Sequence, residues 1–390
     1  METDSKTPTR ICLAEICNQL NHGLALSADG RTLYASSEEA AYSWDYDPAE
    51  SSVSENNRTL VTDMSGSDHT TRTLLLSAKV PEMLLVSLGS QDNVDPEALE
   101  EESGISQIRA FNLTNATEPY VYRQDGLRLG WGLRNSVGIA EHPETGGIYS
   151  VENSVDRIMR EGKDIHQDNP GEEMNFHGYL NGTEYAAQGS NYGYPRCFAA
   201  WAVDDIPEND GLRVGSNFAT GTQNDTVNDE YCSEQTAPRL TFQAHMAPID
   251  LKFNNSGSEG WVSFRGSWNR DEPAGYKVSV IPFMNGEPVA RPDNNTSTVD
   301  VLTNADISRC PDNCFRPAGL AFDGQGRLFV SSDASGEIYV ITRETGAAAG
   351  GSASPSGSGG QGQGQDSSAG RILVSCMVGC ITLSAMFLML

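Results

Sequence analysis

A six-bladed β-propeller, an all-β fold short of its first blade in this chain, is the architecture the sequence predicts. Three observations predict it. One hairpin pattern recurs along the chain, glycine is abundant at 39 residues against 26 Lys and Arg, and turn signals separate short apolar strands. Each recurrence opens with an aliphatic strand, often led by Gly-x-Ala, crosses a Gly/Asp turn and returns as a second apolar strand. Repeated antiparallel units of this size read as propeller blades. A β-sandwich with chance similarity between its hairpins is the alternative.

Taken in order, residues 1–20 form an N-terminal remnant. They start polar and lack the basic start and apolar stretch of a secretory signal. The propeller domain is expected over 21–345. Its first recurrence is Gly23-Leu24-Ala25-Leu26, the turn Ala28-Asp29-Gly30, and Leu33-Tyr34-Ala35-Ser36. Ala41-Tyr42-Ser43-Trp44 then supplies a third strand. A looser copy is Thr73-Leu74-Leu75-Leu76 with Leu84-Leu85-Val86-Ser87. The third is Gly138-Ile139-Ala140, turning at Gly146-Gly147 into Ile148-Tyr149-Ser150. Another loose copy pairs Ile249-Asp250-Leu251-Lys252-Phe253 with Trp261-Val262-Ser263-Phe264. The last is Gly319-Leu320-Ala321-Phe322, turning at Gly324 and Gly326 into Leu328-Phe329-Val330-Ser331, with Glu337-Ile338-Tyr339-Val340 as third strand. Blades therefore start near residues 23, 73, 138, 249 and 319.

Residues 346–371 are almost only Gly, Ala, Ser, Pro and Gln, a linker composition. Residues 372–390 are apolar, and no Lys or Arg follows them. Small residues, a polar spacer and an apolar tail make a GPI-anchor signal, with the attachment site expected within 352–358; a spanning helix is the rival reading. N-x-S/T sequons at Asn57, Asn112, Asn115, Asn181, Asn224, Asn254, Asn294 and Asn295 agree with secretion. Cys197 with Cys232, Cys310 with Cys314, and Cys12 with Cys17 are candidate disulfides, and no cysteine spacing suits zinc. The expected location is extracellular or at the cell surface. The absent signal peptide is expected to belong to a missing start. With 26 Lys and Arg against 53 Asp and Glu, the net charge is −27. That excludes nucleic acid as a partner and disfavours anionic lipid. A membrane is met only through the tail.

Chemistry-bearing motifs lie between the blades. They are Leu84 to Asn93 (LLVSLGSQDN), Gly130 to Tyr149 (GWGLRNSVGIAEHPETGGIY), the run from His166 to Phe176, and Asn191-Tyr192-Gly193-Tyr194-Pro195. Ala244-His245-Met246-Ala247-Pro248, Gly266-Ser267-Trp268-Asn269-Arg270 and Arg316-Pro317-Ala318-Gly319 complete the series. In this order they resemble the soluble quinoprotein glucose/sorbosone dehydrogenases, and most closely the fungal pyranose dehydrogenases that use pyrroloquinoline quinone (PQQ). The resemblance covers about Asn21 to Thr342 and implies a six-bladed propeller. It implies a dehydrogenase that oxidises a pyranose or sorbosone, with PQQ and Ca2+ as cofactors and a haem protein or quinone as electron acceptor.

The resemblance also implies site residues. His69, beside Asp68, stands where the family has its general base, which takes the proton of the anomeric hydroxyl. Asp68 is expected to orient His69 or face the substrate. Arg134-Asn135 match an Arg-Asn pair, and an Arg suits a bidentate grip on a carboxylate or quinone oxygens. Arg316, His245, Arg270 and Lys277 are the further cofactor-side candidates. Arg265 stands where another cation or a His is expected. The carbonyls of Ser154 and Val155 are the expected calcium ligands, although Gly and Pro are common there in the family. Glu172 and Glu173 read as surface charge beside a turn, His166 as a loop residue, and His22 as a residue of the channel mouth; His177 is a further cleft candidate. A non-catalytic propeller that binds glycans or a protein partner is the alternative function. A calcium-dependent lactonase would need inward Asp, Glu and Asn ligands on separate blades, a pattern the sequence does not display.

Overall fold

The computed structural model describes residues 19–114, 116–343 and the backbone of 372–377. Five antiparallel sheets follow one another along the described chain, each with a four-stranded up-and-down core. The first contains β1 (Leu20–Leu26), β2 (Thr32–Ser37), β3 (Ala41–Asp47) and β4 (Arg58–Thr62). The second contains β5 (Leu74–Leu76), β6 (Met83–Leu88), β7 (Gln107–Asn112) and β8 (Leu127–Trp131). The third contains β9 (Ser136–Glu141), β10 (Gly147–Glu152), β11 (Glu172–Tyr179) and β12 (Leu240–Phe242). The fourth contains β13 (Pro248–Phe253), β14 (Glu259–Phe264), β15 (Lys277–Met284) and β16 (Val299–Thr303). The fifth contains β17 (Pro317–Phe322), β18 (Leu328–Ser332) and β19 (Ile338–Arg343), with β20 (Ile372–Met377) pairing its backbone to β19. These sheets are propeller blades, and their inner strands coincide with the five recurrences of the sequence.

The glycine that opens a recurrence has a steric cause. A Cβ on Gly23 would stand 2.2 Å from the Arg72 carbonyl of the next blade, and one on Gly138 would stand 2.9 Å from the Asp250 backbone. Inner strands converge on the axis, and only glycine admits that approach. A hydroxyl on or beside the second strand then ties blade to blade. Ser36 Oγ accepts from the Gly23 amide at 2.9 Å and donates to the Arg72 carbonyl at 2.7 Å. Ser263 Oγ repeats the device, accepting from the Asp250 amide at 3.1 Å and donating to the Ala318 carbonyl at 2.6 Å.

Between blades the alternating strands bury their apolar faces. Leu60 and Val61 pack with Leu84, Val86 and Phe111 between the first and second blades. Tyr149 and Phe176 pack with Leu251, Val262 and Ile281 between the third and fourth. Each such side chain contributes about 1.5–3 kcal/mol by leaving water. On the first and fifth blades, Leu24 and Phe329 instead line an open cleft of about 980 Å³. A long excursion between β11 and β12 is stapled by the Cys197–Cys232 disulfide. The second expected disulfide, Cys310–Cys314, is also formed. The proposed Cys12–Cys17 pair, the linker 346–371 and residues 378–390 lie outside the described residues.

Candidate functional site

Loops from four blades meet at one end of the inner strands and enclose a small pocket. His69, Arg134, Asn135, Asn153, Ser154, Asp156, Glu172, His245, Ala247, Trp268 and Asn269 line it, and its volume is about 20 Å³, room for an ion or a water. His69 and Asn135 also line the 980 Å³ cleft. An ion-sized chamber thus adjoins the cleft between the first and fifth blades.

His69 is buried. Gly89 makes its position available, because a Cβ there would stand 2.7 Å from the His69 Cβ. Arg72, also buried, anchors the loop from behind. Its guanidinium donates to the His69 carbonyl at 2.6 Å and to the Met64 carbonyl at 3.0 and 2.6 Å. His69 Nδ1 lies 3.0 Å from the Ser90 carbonyl oxygen. A carbonyl only accepts, so Nδ1 carries the proton and Nε2 keeps the lone pair. Burial above all, then the charge of Arg134, pushes the His69 pKa down to about 3. The ring is therefore neutral down to about pH 4. Asp68 reaches Nδ1 only at 3.8 Å, so the Ser90 carbonyl sets the tautomer, and burial raises the Asp68 carboxyl.

Arg134 departs from the expectation of a free guanidinium fork. Its Nε donates to the Asn93 carbonyl, Nη1 to the Asn153 and Ser154 carbonyls, and Nη2 to Asn93 Oδ1 and Asp156 Oδ2. All five donors are committed within the protein, leaving none for a cofactor carboxylate. Arg134 organises the 153–156 loop instead. Within that loop Ser154 lines the pocket, whereas the Val155 side chain is buried in an apolar cluster with Ile105, Ile158 and Phe198. Val155 is not among the lining residues.

Glu172 and Glu173, expected at the surface, are 3% and 6% exposed. They begin β11, whose burial the neighbouring turn at Gly171 conceals in the sequence. Glu172 accepts from the Ser154 amide at 2.7 Å and the Ala247 amide at 3.1 Å, joining the loops on two sides of the pocket. Burial pushes its pKa up to about 7, against those two hydrogen bonds. His245 and Ala247 hold φ values of 64° and 51°, a left-handed backbone that non-glycine residues rarely adopt. His245 lines the pocket, with Nε2 against the His166 carbonyl.

The remaining cations lie outside the small pocket. Arg270 is paired to Asp168 at 2.9 Å, Lys277 to Asp300 at 2.9 Å, and Arg265 to Asp333 at 2.6 Å. Of these Arg265 lines the cleft, as does His22. Arg316 lies over the Tyr276 ring, and its Nε is buried with no partner among the described residues. His177 is buried, with Nε2 on Ser150 Oγ, and is not among the lining residues of either space. Asp156, Asn269, Glu172 and Arg72 were not singled out for the site by sequence reasoning. Asn269 and Glu172 lie in motifs named above, whereas Asp156 and Arg72 become visible only when distant loops converge.

The family model described as TrAA12-like matches residues 3–344. A pyrroloquinoline quinone-dependent sugar dehydrogenase of Hypocrea jecorina is 49% identical over 326 residues, 83% of this chain and 74% of its own length. A pyrroloquinoline quinone-dependent pyranose dehydrogenase of Coprinopsis cinerea is 37% identical over 350 residues, 84% of this chain; the match spans 47% of that relative. Among solved structures, a calcium structure of a Trichoderma reesei carbohydrate-active enzyme of family AA12 superposes with a TM-score of 0.79 at 49% identity, covering 83% of this chain and 80% of its own. The holo form of the PQQ domain of Coprinopsis cinerea pyranose dehydrogenase superposes at 0.76 with 36% identity, covering 83% and 81%.

Proposed function

The chain belongs to the TrAA12-like family, and from that premise we propose that it is a PQQ-dependent sugar dehydrogenase. It oxidises the anomeric carbon of a pyranose or related aldose to the lactone. The observation that carries the reading is His69, neutral and buried, with Nδ1 held by the Ser90 carbonyl and its ring lining both the ion-sized pocket and the cleft.

The residues fit the two cofactors, with one redistribution of roles. Calcium would be met by an oxygen-rich wall of Ser154, Asp156 and Glu172, where two carboxylates face one guanidinium already committed. A quinone with three carboxylates would be met at the cleft by Arg265, whose Nε is shared with Asp333; Arg316 lines neither space. When bound, the quinone would serve as hydride acceptor and calcium would draw electron density from it. His69 Nε2 takes the proton from the anomeric hydroxyl while hydride leaves the same carbon, so the sugar loses two electrons and two hydrogens in one step. Arg134 fixes the calcium-side loop and adds positive charge that keeps His69 deprotonated. The electrons then pass to a haem protein or quinone acceptor.

An extracellular location is part of the proposal. Both disulfides support it. So do sequon turns at Asn112, Asn181 and Asn224, where each exposed Asn side chain accepts from the amide two residues on. Full-length protein incubated with PQQ and CaCl2 should reduce a redox dye on addition of pyranoses, and no dye reduction with any aldose would sink the reading. A shift on endoglycosidase treatment of the secreted protein checks the location.

A further inference from the structure

The lining of the ion-sized pocket includes a buried oxygen that has no hydrogen-bond partner among the described residues. Asn269 Nδ2 donates to the Asp156 carbonyl at 2.9 Å and to Asp156 Oδ1 at 3.3 Å. Exchanging the amide oxygen and nitrogen would set oxygen against both acceptors, so the amide orientation is fixed. The opposite end, Asn269 Oδ1, is buried and has no hydrogen-bond partner among the described residues. Buried acceptors without a partner are uncommon, and each one needs an explanation.

We propose that Asn269 Oδ1 is a calcium ligand, supplied by the loop between β14 and β15 to the pocket whose far wall is the 153–156 loop. The proposal rests on the calcium-dependent reading above and goes beyond it by assigning a side-chain ligand from a different blade. Three features favour a cation over a hydroxyl or a water. The pocket of about 20 Å³ admits one small occupant. Its wall carries the carboxylates of Asp156 and Glu172, and its one guanidinium has every donor engaged within the protein. Calcium is bound by amide and backbone carbonyl oxygens as readily as by carboxylates, and it takes six to eight of them. Asp156 is then a positioning residue: Oδ2 takes Arg134, while Oδ1 and the carbonyl aim the Asn269 amide. Asn269 follows Trp268, which is exposed at the pocket. Calcium bound there would hold the Trp268 loop against the third blade.

The test is calcium uptake by the full chain without quinone, read by titration calorimetry and by the shift in melting temperature. Asn269→Ala should weaken calcium binding by about tenfold or more, since even groups outside the ligand set tune metal affinity by 10–100-fold. Asn269→Asp separates ligation from tethering. It loses the donor to Asp156 but keeps an oxygen and adds a charge. Its calcium-free form should melt lower than wild type, and its affinity should equal or exceed wild type. Asn269→Asp binding as poorly as Asn269→Ala would make the residue a tether and overturn the assignment. Equal affinity of Asn269→Ala and wild type would overturn it while leaving the calcium-dependent reading intact. Wild-type protein that takes up no calcium would overturn both.

Discussion

A solvated histidine used as a base would lose activity as pH falls through 6.5. His69 should not. Burial and the Arg134 charge hold its pKa near 3. At pH 5 a histidine of ordinary pKa is mostly protonated, and the rate would be about 30-fold below its plateau. With the observed environment the neutral fraction at pH 5 stays near one, so kcat/KM should be flat between pH 8 and about 4.5. The assay is steady-state reduction of a dye whose own potential is independent of pH in that range, at saturating PQQ and calcium. His69→Ala should lower turnover by about 10²–10⁴-fold at every pH, the range for a lost general base. The same burial has a stability consequence. The unfolded chain takes a proton on His69 below about pH 6.5 and the native chain does not. Stability is therefore fully present above 6.5 and is lost as pH falls toward 3, by up to about 5 kcal/mol for this one group. His69→Gln should blunt that acid sensitivity. A tenfold loss of kcat/KM per pH unit beginning at 6.5, in wild type, would refute the buried-base argument.

Arg134→Lys should behave almost like Arg134→Ala, because one ammonium cannot replace five directed donors. Both should lower stability by about 3–5 kcal/mol, as expected for a broken buried pair, and calorimetry of calcium binding should show the 153–156 site weakened. Ser36→Ala removes the hydroxyl between Gly23 and Arg72 and should cost about 1–3 kcal/mol in urea unfolding; a change below about 0.5 kcal/mol would show that the blade link is unimportant. Gly89→Ala places a methyl 2.7 Å from the His69 Cβ, so turnover should fall far more than melting temperature does, and an unchanged kcat would contradict the placement of the base.

The five inner strands were legible in the sequence because a blade is a local object. Gly23 and Gly138 mark close approaches that every repeat must make, and alternation over Leu84-Leu85-Val86 or Leu328-Phe329-Val330 reports burial directly. Arg134, Asn135 and His245 were legible through short motifs and His69 and Ser154 through the family resemblance, and the structure brings them to one pocket. Their partners were not legible. Asp168, Asp300 and Asp333 neutralise Arg270, Lys277 and Arg265 across separations that no local pattern reveals. Nor does the sequence say that Arg134 is saturated, since Asn93 and the 153–156 loop reach it from different blades. Glu172 was misplaced for the opposite reason: a carboxylate next to Gly171 looks solvated until its two amide partners, at Ser154 and Ala247, are known.

The most direct test is a single turnover without an external acceptor. Wild-type protein loaded with calcium and PQQ is mixed with excess pyranose, and the absorbance of the bound quinone is followed. One equivalent of quinone should be reduced rapidly in wild type, and about 10²–10⁴-fold more slowly in His69→Ala at unchanged quinone affinity. Quinone that binds yet is never reduced by any aldose, or that is reduced equally fast without His69, would contradict the account.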